Sequence, residues 1–210
     1  MTNHMFIVTS FRTRYNEEKE YYEITSSDVP ACPYCEGVLE YRNSRQRGVQ
    51  DEQRNEIMYL LRRFRCEGCR HLHTELPSFI QPYKHYSSSV IQDVLDGGGN
   101  TCAADDSTLR RWRSDFSDAG SDIEQRLLSC YAQESGAHPP ISRSVSLLEW
   151  LRGREPMWLA FVMKLLLSRG YRLCTRFAFC PYIAADKVHS ISKSYTKGEE
   201  INDKTINDTG

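Results

Sequence analysis

Two cysteine pairs with the same spacing constrain the fold of this chain more than any other feature of its sequence. Cys32 and Cys35 lie in ACPYC, and Cys66 and Cys69 lie in RCEGC further along the chain. Four thiolates are the soft ligand set that binds zinc in tetrahedral geometry. We therefore predict one structural Zn²⁺ site whose ligands are Cys32, Cys35, Cys66 and Cys69.

Other interpretations of the cysteines are weaker. A redox role requires a CxxC that opens a helix after a strand, and neither pair has that setting. His71 and His73 follow the second pair closely, so spacing alone leaves open a site of three cysteines and one histidine. A site closed by four thiolates leaves no position for an activated water, so we expect a non-catalytic zinc. The unpaired cysteines are assigned to hydrophobic cores: Cys102, Cys130, Cys174 and Cys180.

Composition and charge narrow the class of protein. The chain is 40% hydrophobic and 26% charged, as ordinary globular proteins are. Its net charge of -1 argues against a uniformly basic coat, so any nucleic-acid binding must come from local patches. The N-terminus lacks the pattern of a secretory signal, and the apolar run 158–167 is shorter than the roughly 20 residues of a membrane span. We expect a cytoplasmic protein that contacts no membrane.

The N-terminal part of the chain has the pattern of short strands. Residues 6–11 and 20–25 are β-branched and aromatic, which predicts a hairpin or two short strands. Between the cysteine pairs, GVLEYRNS and EIMYLLRRFRC predict strands and the polar RQRGVQDEQRNE predicts a loop. The order of knuckle, strand, loop, strand and knuckle is that of a zinc ribbon. We predict a β arm and zinc ribbon over residues 1–84.

The rest of the chain predicts helices, so the expected fold class is α+β. YSSSVIQDVLDGGG has serine caps, one apolar face and a glycine stop, and DDSTLRRWRSDF and SDIEQRLLSCYAQ predict two further helices. SVSLLEWLRG and EPMWLAFVMKLLLSRG predict two more. We predict a helix-turn-helix-like module over 85–138, C-terminal helices over 139–185 and a disordered tail over 186–210.

Arginines are concentrated in two places. Residues 42–70 contain eight arginines and four acidic residues, and the guanidinium fork suits phosphate and guanine. If Leu109, Trp112 and Phe116 are buried, the arginines beside them project from the first turns of a capped helix, as in a recognition helix. An ordinary solvated basic face is the alternative for both groups. The residues predicted to contact DNA are Arg45, Arg47, Arg62, Arg63, Arg65, Thr108, Arg110, Arg111 and Arg113.

The helix-turn-helix interpretation has one imperfection. The connection between Leu95 and Asp106 is longer than the three or four residues of a tight turn. A short middle helix near TCAAD would restore a three-helix form.

Several strings together carry a family resemblance: CPYC, SRQR, RRFRCEGC, HTELP, PYKHY and STLRRWR. They resemble an uncharacterised bacterial zinc-ribbon and helix-turn-helix family, which is itself similar to the N-terminal DNA-binding region of insertion-sequence transposases. The resemblance covers roughly residues 30–117 and is most specific in the ribbon. It implies DNA binding and association with a mobile element.

We expect an accessory or regulatory protein rather than an enzyme. A transposase catalytic domain needs three metal-binding carboxylates on a strand-rich core, and the acidic residues after Phe116 lie in predicted helices. DGGGN also lacks the lysine of a phosphate-binding loop. Besides DNA, a separately encoded transposase or recombinase is a predicted partner, and no small-molecule substrate is expected. The alternative is a protein-interaction adaptor that uses the ribbon and the C-terminal helices, and exposure of 158–167 would support it.

Overall fold

The computed structural model describes residues 4–27, 31–99, 102–136, 145–173 and 181–183. It confirms a mixed α+β fold with an N-terminal sheet and C-terminal helices. The predictions for Cys174, Cys180 and the tail over 186–210 lie outside the described residues. The strands are β1 (His4–Val8), β2 (Phe11–Asn16), β3 (Tyr21–Ser26), β4 (Leu39–Gln50), β5 (Glu56–Cys66), β6 (Leu72–Pro77), β7 (Tyr171–Leu173) and β8 (Pro181–Ile183). The helices are α1 (Ser88–Leu95), α2 (Asp106–Ser135), α3 (Leu147–Arg152) and α4 (Trp158–Ser168).

Strand β5 organises the six-stranded sheet because three strands pair with it. β4 pairs with β5 in antiparallel register along its length, with an irregularity between Tyr41 and Asn43. On the other side, β6 is antiparallel to the end of β5 and β3 is parallel to its middle. β1 extends the sheet parallel to β6, and β2 pairs with β3 as a hairpin. β7 and β8 form a separate two-stranded sheet.

The strand boundaries correct two sequence predictions. The hairpin joins β2 to β3, whereas residues 6–11 were predicted as one strand; in the structure they span the end of β1 and the start of β2. Charged residues of β2 are tolerated because they are exposed on an edge strand. The predicted loop RQRGVQDEQRNE is wrong in its first half. There Arg45, Arg47 and Val49 alternate along β4 and pair with β5.

Burial of β1 on both faces divides the core in two. Met5 and Ile7 belong to the large core that the helices cover, whereas Phe6 and Val8 belong to a smaller core with Cys32 and Cys66. A strand that is buried on both faces has apolar residues at consecutive positions instead of alternating ones, which explains the sequence HMFIV. The sheet therefore separates the helices from the cysteines.

Helix α2 joins two segments that the sequence predicted as separate helices. Its cap is Asp105, whose carboxylate accepts the Thr108 N–H at 2.8 Å, and it continues to Ser135. The prediction of two helices is wrong because the apolar face continues across the polar stretch SDAGSD, with Ala119 buried inside it and Ile123 buried directly after it. The described residues between α1 and α2 contain no helix. The helix-turn-helix arrangement stays a prediction.

Helix α4 is a core element. Its residues are buried except for Phe161 and Lys164, which are half-buried, and the terminal Ser168. The helix packs against β1 and α2. The apolar run 158–167 is therefore not exposed, so it does not provide the support for an adaptor that its exposure would have given. None of the described helices is long and apolar enough to cross a membrane.

Candidate metal centre and basic surface

The two CxxC loops have the same backbone geometry. In each loop the residue after the second cysteine has a left-handed conformation, with φ of 60° at Glu36 and 63° at Arg70. In each loop the N–H of that residue donates to the carbonyl of the first cysteine. The N–H of the first cysteine donates to the carbonyl of the second residue after the second cysteine. The bonds are Glu36 N to Cys32 O (2.8 Å), Cys32 N to Gly37 O (2.9 Å), Arg70 N to Cys66 O (3.1 Å) and Cys66 N to His71 O (3.0 Å).

This repeated turn brings the four cysteine sulfurs together. All four lie within 4.8 Å of one another, an arrangement that can hold a metal ion. The shortest contacts run between the loops, with 3.4 Å from Cys35 Sγ to Cys66 Sγ and 3.6 Å from Cys32 Sγ to Cys69 Sγ. The predicted ligands therefore form one cluster, which we call the cysteine cluster.

Glycine is needed where the loops approach each other. A Cβ on Gly37 would lie 3.1 Å from Cys66 Sγ, and a Cβ on Gly68 would lie 3.1 Å from Cys35 Sγ. Such distances are tighter than most real contacts, so a side chain at either position would press on a sulfur of the other loop. The two glycines thus allow the loops to approach closely.

The thiols of the cluster differ in acidity. Burial raises the pKa of Cys66, but hydrogen bonds from the Cys69 N–H and the neighbouring thiols outweigh it and bring the pKa to about 7. Burial raises the pKa of Cys32 and of Cys69. Metal binding to such a set displaces thiol protons, because thiolates are the ligands.

Aromatic residues pack beside the cluster. His73 is buried on β6, with its Nε2 atom 3.4 Å from Cys32 Sγ. His4 on β1 stacks on His71 at 4.3 Å and meets Tyr34 edge to face at 4.6 Å. His73 thus contacts a cysteine of the cluster. The four atoms that could hold a metal ion are the cysteine sulfurs. No sequence pattern indicates the position of His4, because β1 lies far from the cysteine loops in the sequence.

Four of the arginines predicted to bind DNA donate to other parts of the fold: Arg62, Arg63 and Arg113, described next, and Arg47, described below. Arg62 forms an ion pair with buried Glu75, with 2.8 Å from Nε to Oε2. Arg63 Nε donates to the side chain of Asn43 at 2.8 Å. Arg113 reaches the end of α1, where it donates to the carbonyls of Val94 (3.1 Å) and Gly98 (2.7 Å). These guanidinium groups connect secondary-structure elements.

Residues near the start of α2 remain on the surface. Arg110 and Arg111 are exposed, and they donate within the first turns of the helix, to Asp106 O and Thr108 Oγ1. Thr108 is half-buried and also bonds the capping carboxylate of Asp105. On β5, Arg65 is half-buried and pairs in register with Glu40.

A group of basic residues connects the sheet to α2. We call it the basic strip; its members are Arg45, Arg47, Lys84, His85 and Arg111. Arg47 Nη2 donates to the carbonyls of Gln81, at 2.9 Å, and Lys84. Lys84 Nζ lies 6.0 Å from the centre of the Trp112 ring. Burial lowers the pKa of Lys84, and the charge of Arg111 lowers it further against the opposing effect of Asp115. The segment after β6 thus places basic residues between β4 and α2.

Comparison with known proteins adds one finding. Residues 32–112, less than half of the chain, match a family model described as a domain of unknown function, DUF6431. The match begins at the first cysteine of the cluster and ends at Trp112, so it contains the cluster and the basic strip. No curated protein and no solved structure matches the chain.

Proposed function

We propose that the chain is a DNA-binding protein, stabilised by one structural Zn²⁺, that acts as a non-catalytic accessory or regulator of a bacterial mobile element. The observation that carries the proposal is the position of Lys84, which lies between Arg47 of the sheet and Arg111 of α2. Arg47 of the ribbon and Arg111 of the helix, which are separate in the sequence, thereby lie on either side of one lysine.

Zinc fits the cysteine cluster. A Zn–S distance of about 2.3 Å in a tetrahedron separates the sulfurs by about 3.8 Å. The contacts of 3.4 Å and 3.6 Å, within a set that spans at most 4.8 Å, are close to this spacing. Four thiolates complete the coordination of the metal, so its role is to hold the loops together. Because Cys32 and Cys66 also belong to the smaller core, the ion would stabilise that side of the sheet.

The DNA contacts we propose are mainly electrostatic. Arg45, Arg110 and Arg111 are exposed and form no ion pair with the described residues. Arginine and lysine on one surface neutralise phosphates and release counterions. The capped start of α2 adds the positive end of a helix dipole, although Asp105 and Asp106 offset part of it. Base readout would fall to Arg110 and Arg111 near the helix start.

The link to a mobile element rests on the family resemblance of the strings between residues 30 and 117. A protein partner at the cysteine end is the second candidate function. It is favoured by Val38 and Tyr41, which lie next to the first loop and are 64% and 60% exposed. A separately encoded transposase or recombinase would be the partner.

Zinc content and DNA binding of the purified chain test the proposal together. Mass spectrometry should find one zinc per chain, and fluorescence anisotropy should show duplex DNA binding that weakens steeply as salt rises. The double variant R110Q/R111Q should reduce DNA affinity by about tenfold or more, since each lost phosphate contact weakens binding. R12Q/R14Q is the matched control, because both arginines are exposed on the edge strand β2.

The possible results separate the candidates. Binding that disappears after chelation, and that R110Q/R111Q reduces more than R12Q/R14Q, supports a zinc-dependent DNA surface. Zinc without DNA binding at low salt contradicts the DNA proposal and favours the protein partner. A chain without zinc contradicts the structural role of the ion.

A further inference from the structure

A cavity with an apolar base and two arginines lies within the basic strip. It has a volume of about 230 Å³ and is formed where the segment after β6 folds over the sheet. One water occupies about 30 Å³ in the liquid, so the cavity can hold a small anion with its hydration. Leu61 and Thr74 form part of its floor, and Arg45, Arg47 and His85 line its wall.

The strand register explains why two arginines share this cavity. Arg45 and Arg47 alternate along β4, so both side chains lie on the same face of the sheet. They pair in register with Leu61 and Tyr59 of β5. No carboxylate lines the cavity. Two like charges therefore share a partly buried space without an acidic partner among its lining residues.

The hydrogen bonding of these arginines leaves donors for a ligand. Both bonds that Arg47 makes to described residues use Nη2, which leaves Nη1 and Nε. Arg45 makes no hydrogen bond to the described residues and is exposed at the cavity mouth. Burial, followed by the charge of Arg45, lowers the pKa of Arg47 to about 10. An anion between the two guanidinium groups would relieve their repulsion.

The backbone beside the cavity adds an independent observation. Tyr83, which lines the cavity, has a left-handed conformation with φ of 59°. Such a conformation is unfavourable for a residue with a large side chain and occurs often at ligand sites. The carbonyls of Gln81 and Lys84 fix this segment on Arg47, so the tyrosine and His85 stay at the cavity.

We propose that this cavity is a binding site for a phosphate group, with Arg45 and Arg47 as the ligands and His85 as a further donor. The inference deepens the proposed function, since a phosphate of the DNA backbone would enter here while α2 contacts the duplex. A free phosphorylated molecule has the same chemistry, and the experiment separates the two sources.

Calorimetric titration of the zinc-loaded full chain with inorganic phosphate and with pyrophosphate tests the site. The wild-type chain should bind pyrophosphate more tightly than phosphate. R45Q should weaken pyrophosphate binding by about tenfold, the effect of losing a charge-assisted hydrogen bond. R14Q, an exposed arginine outside the cavity, should leave binding within about twofold. R47Q repeats the test at the second arginine, with its circular dichroism melting curve as the check of folding.

A second arm measures duplex DNA binding with wild type and R45Q. Loss of pyrophosphate binding together with weaker DNA binding in R45Q assigns the site to a backbone phosphate. If R45Q loses pyrophosphate binding and its DNA binding is unchanged, the site serves a free phosphorylated molecule. The same holds if R45Q loses pyrophosphate binding and the wild type binds no DNA, and that result also overturns the proposed function. Wild type that binds neither anion, or R45Q that binds both as wild type does, overturns the cavity proposal.

Discussion

Gly68 and Cys35 meet across the cysteine cluster, where a Cβ on residue 68 would lie 3.1 Å from the Cys35 sulfur. G68A should therefore displace a sulfur atom of the cysteine cluster. We expect the free energy of unfolding of the metal-loaded chain to fall by about 1–2 kcal/mol, the usual cost of overpacking. Thermal melting gives the stability, and competition with a chromogenic chelator gives the affinity for zinc.

Gly120 supplies the matched control for this substitution. It lies within α2, and a Cβ there would meet nothing within 4 Å. G120A should raise the free energy of unfolding by about 0.5–1 kcal/mol, because glycine is a poor helix former. If G68A melted and held zinc as wild type does, close approach of the two loops would not depend on glycine.

The ion pair between Arg62 and Glu75 predicts a large effect of removing one partner. Glu75 is 1% exposed and accepts bonds from Arg62 and from the Ser26 hydroxyl. E75A should lower the free energy of unfolding by about 3 kcal/mol, since it leaves the half-buried guanidinium without its carboxylate. Urea denaturation measures this change.

A surface pair is the comparison for that result. Asp122 and Arg126 are 4.0 Å apart on α2 and more exposed, so D122A should cost less than about 0.5 kcal/mol. If E75A and D122A lowered the free energy of unfolding equally, burial would not explain the contribution of the Arg62–Glu75 ion pair. The double variant R62M/E75L should recover much of the loss, because it removes both buried charges.

Substitutions of Arg111 and Arg113 should have different effects on stability and DNA affinity, although the two residues lie two positions apart. R113Q removes the bonds to the end of α1 and should lower the free energy of unfolding by about 1–2 kcal/mol. R111Q should leave stability within about 0.5 kcal/mol and reduce DNA affinity. Melting curves and anisotropy titrations of both variants test this division. If R113Q lost DNA affinity at unchanged stability, Arg113 would be a DNA contact.

The cap of α2 predicts a pH dependence. Hydrogen bonds from the Ser107 hydroxyl and the Thr108 N–H hold the pKa of Asp105 below its ordinary value. A depressed pKa stabilises the fold fully above the unfolded-state value of about 3.9, and that stabilisation is lost as pH falls through the folded-state value. D105A should therefore be less stable than wild type at neutral pH, and the difference should shrink in acid. Urea midpoints at about pH 7 and pH 3 measure it.

The asparagine variant provides the control at this position. D105N keeps a capping oxygen but does not titrate, so it should lie between wild type and D105A at neutral pH. A difference between wild type and D105A that is constant with pH would contradict the role of the carboxylate.

The cysteine cluster was accessible from sequence because its information is local. Each CxxC and its flanking strand lie within a few residues, and the antiparallel pairing of β4 with β5 brings the two pairs together. Helix α1 was predicted for the same reason, with its serine cap at Ser87 and its apolar face. Helix α2, which the sequence predicted as two helices, shows what local sequence cannot predict. Whether SDAGSD ends a helix depends on burial of Ala119 and Ile123, which is decided by tertiary packing.

The partners of the arginines could not be read from the sequence. Arg113 and Arg111 have the same local pattern, and only the position of α1 distinguishes them. The cavity likewise depends on the segment after β6 folding over the sheet, which is a tertiary contact. Its contacts with Arg47 bring together residues more than thirty positions apart.

The packing of α4 on β1 has a consequence for synthesis of the protein. Lys164 Nζ lies 3.4 Å from Thr9 Oγ1, across 155 positions of sequence. Strand β1 is buried on both faces, and one of those faces is covered by a helix that leaves the ribosome much later. The nascent chain must therefore carry an apolar first strand without its cover through most of translation. During that interval the cysteine side of the sheet can form first, and the helical side is completed only after residue 168 has emerged.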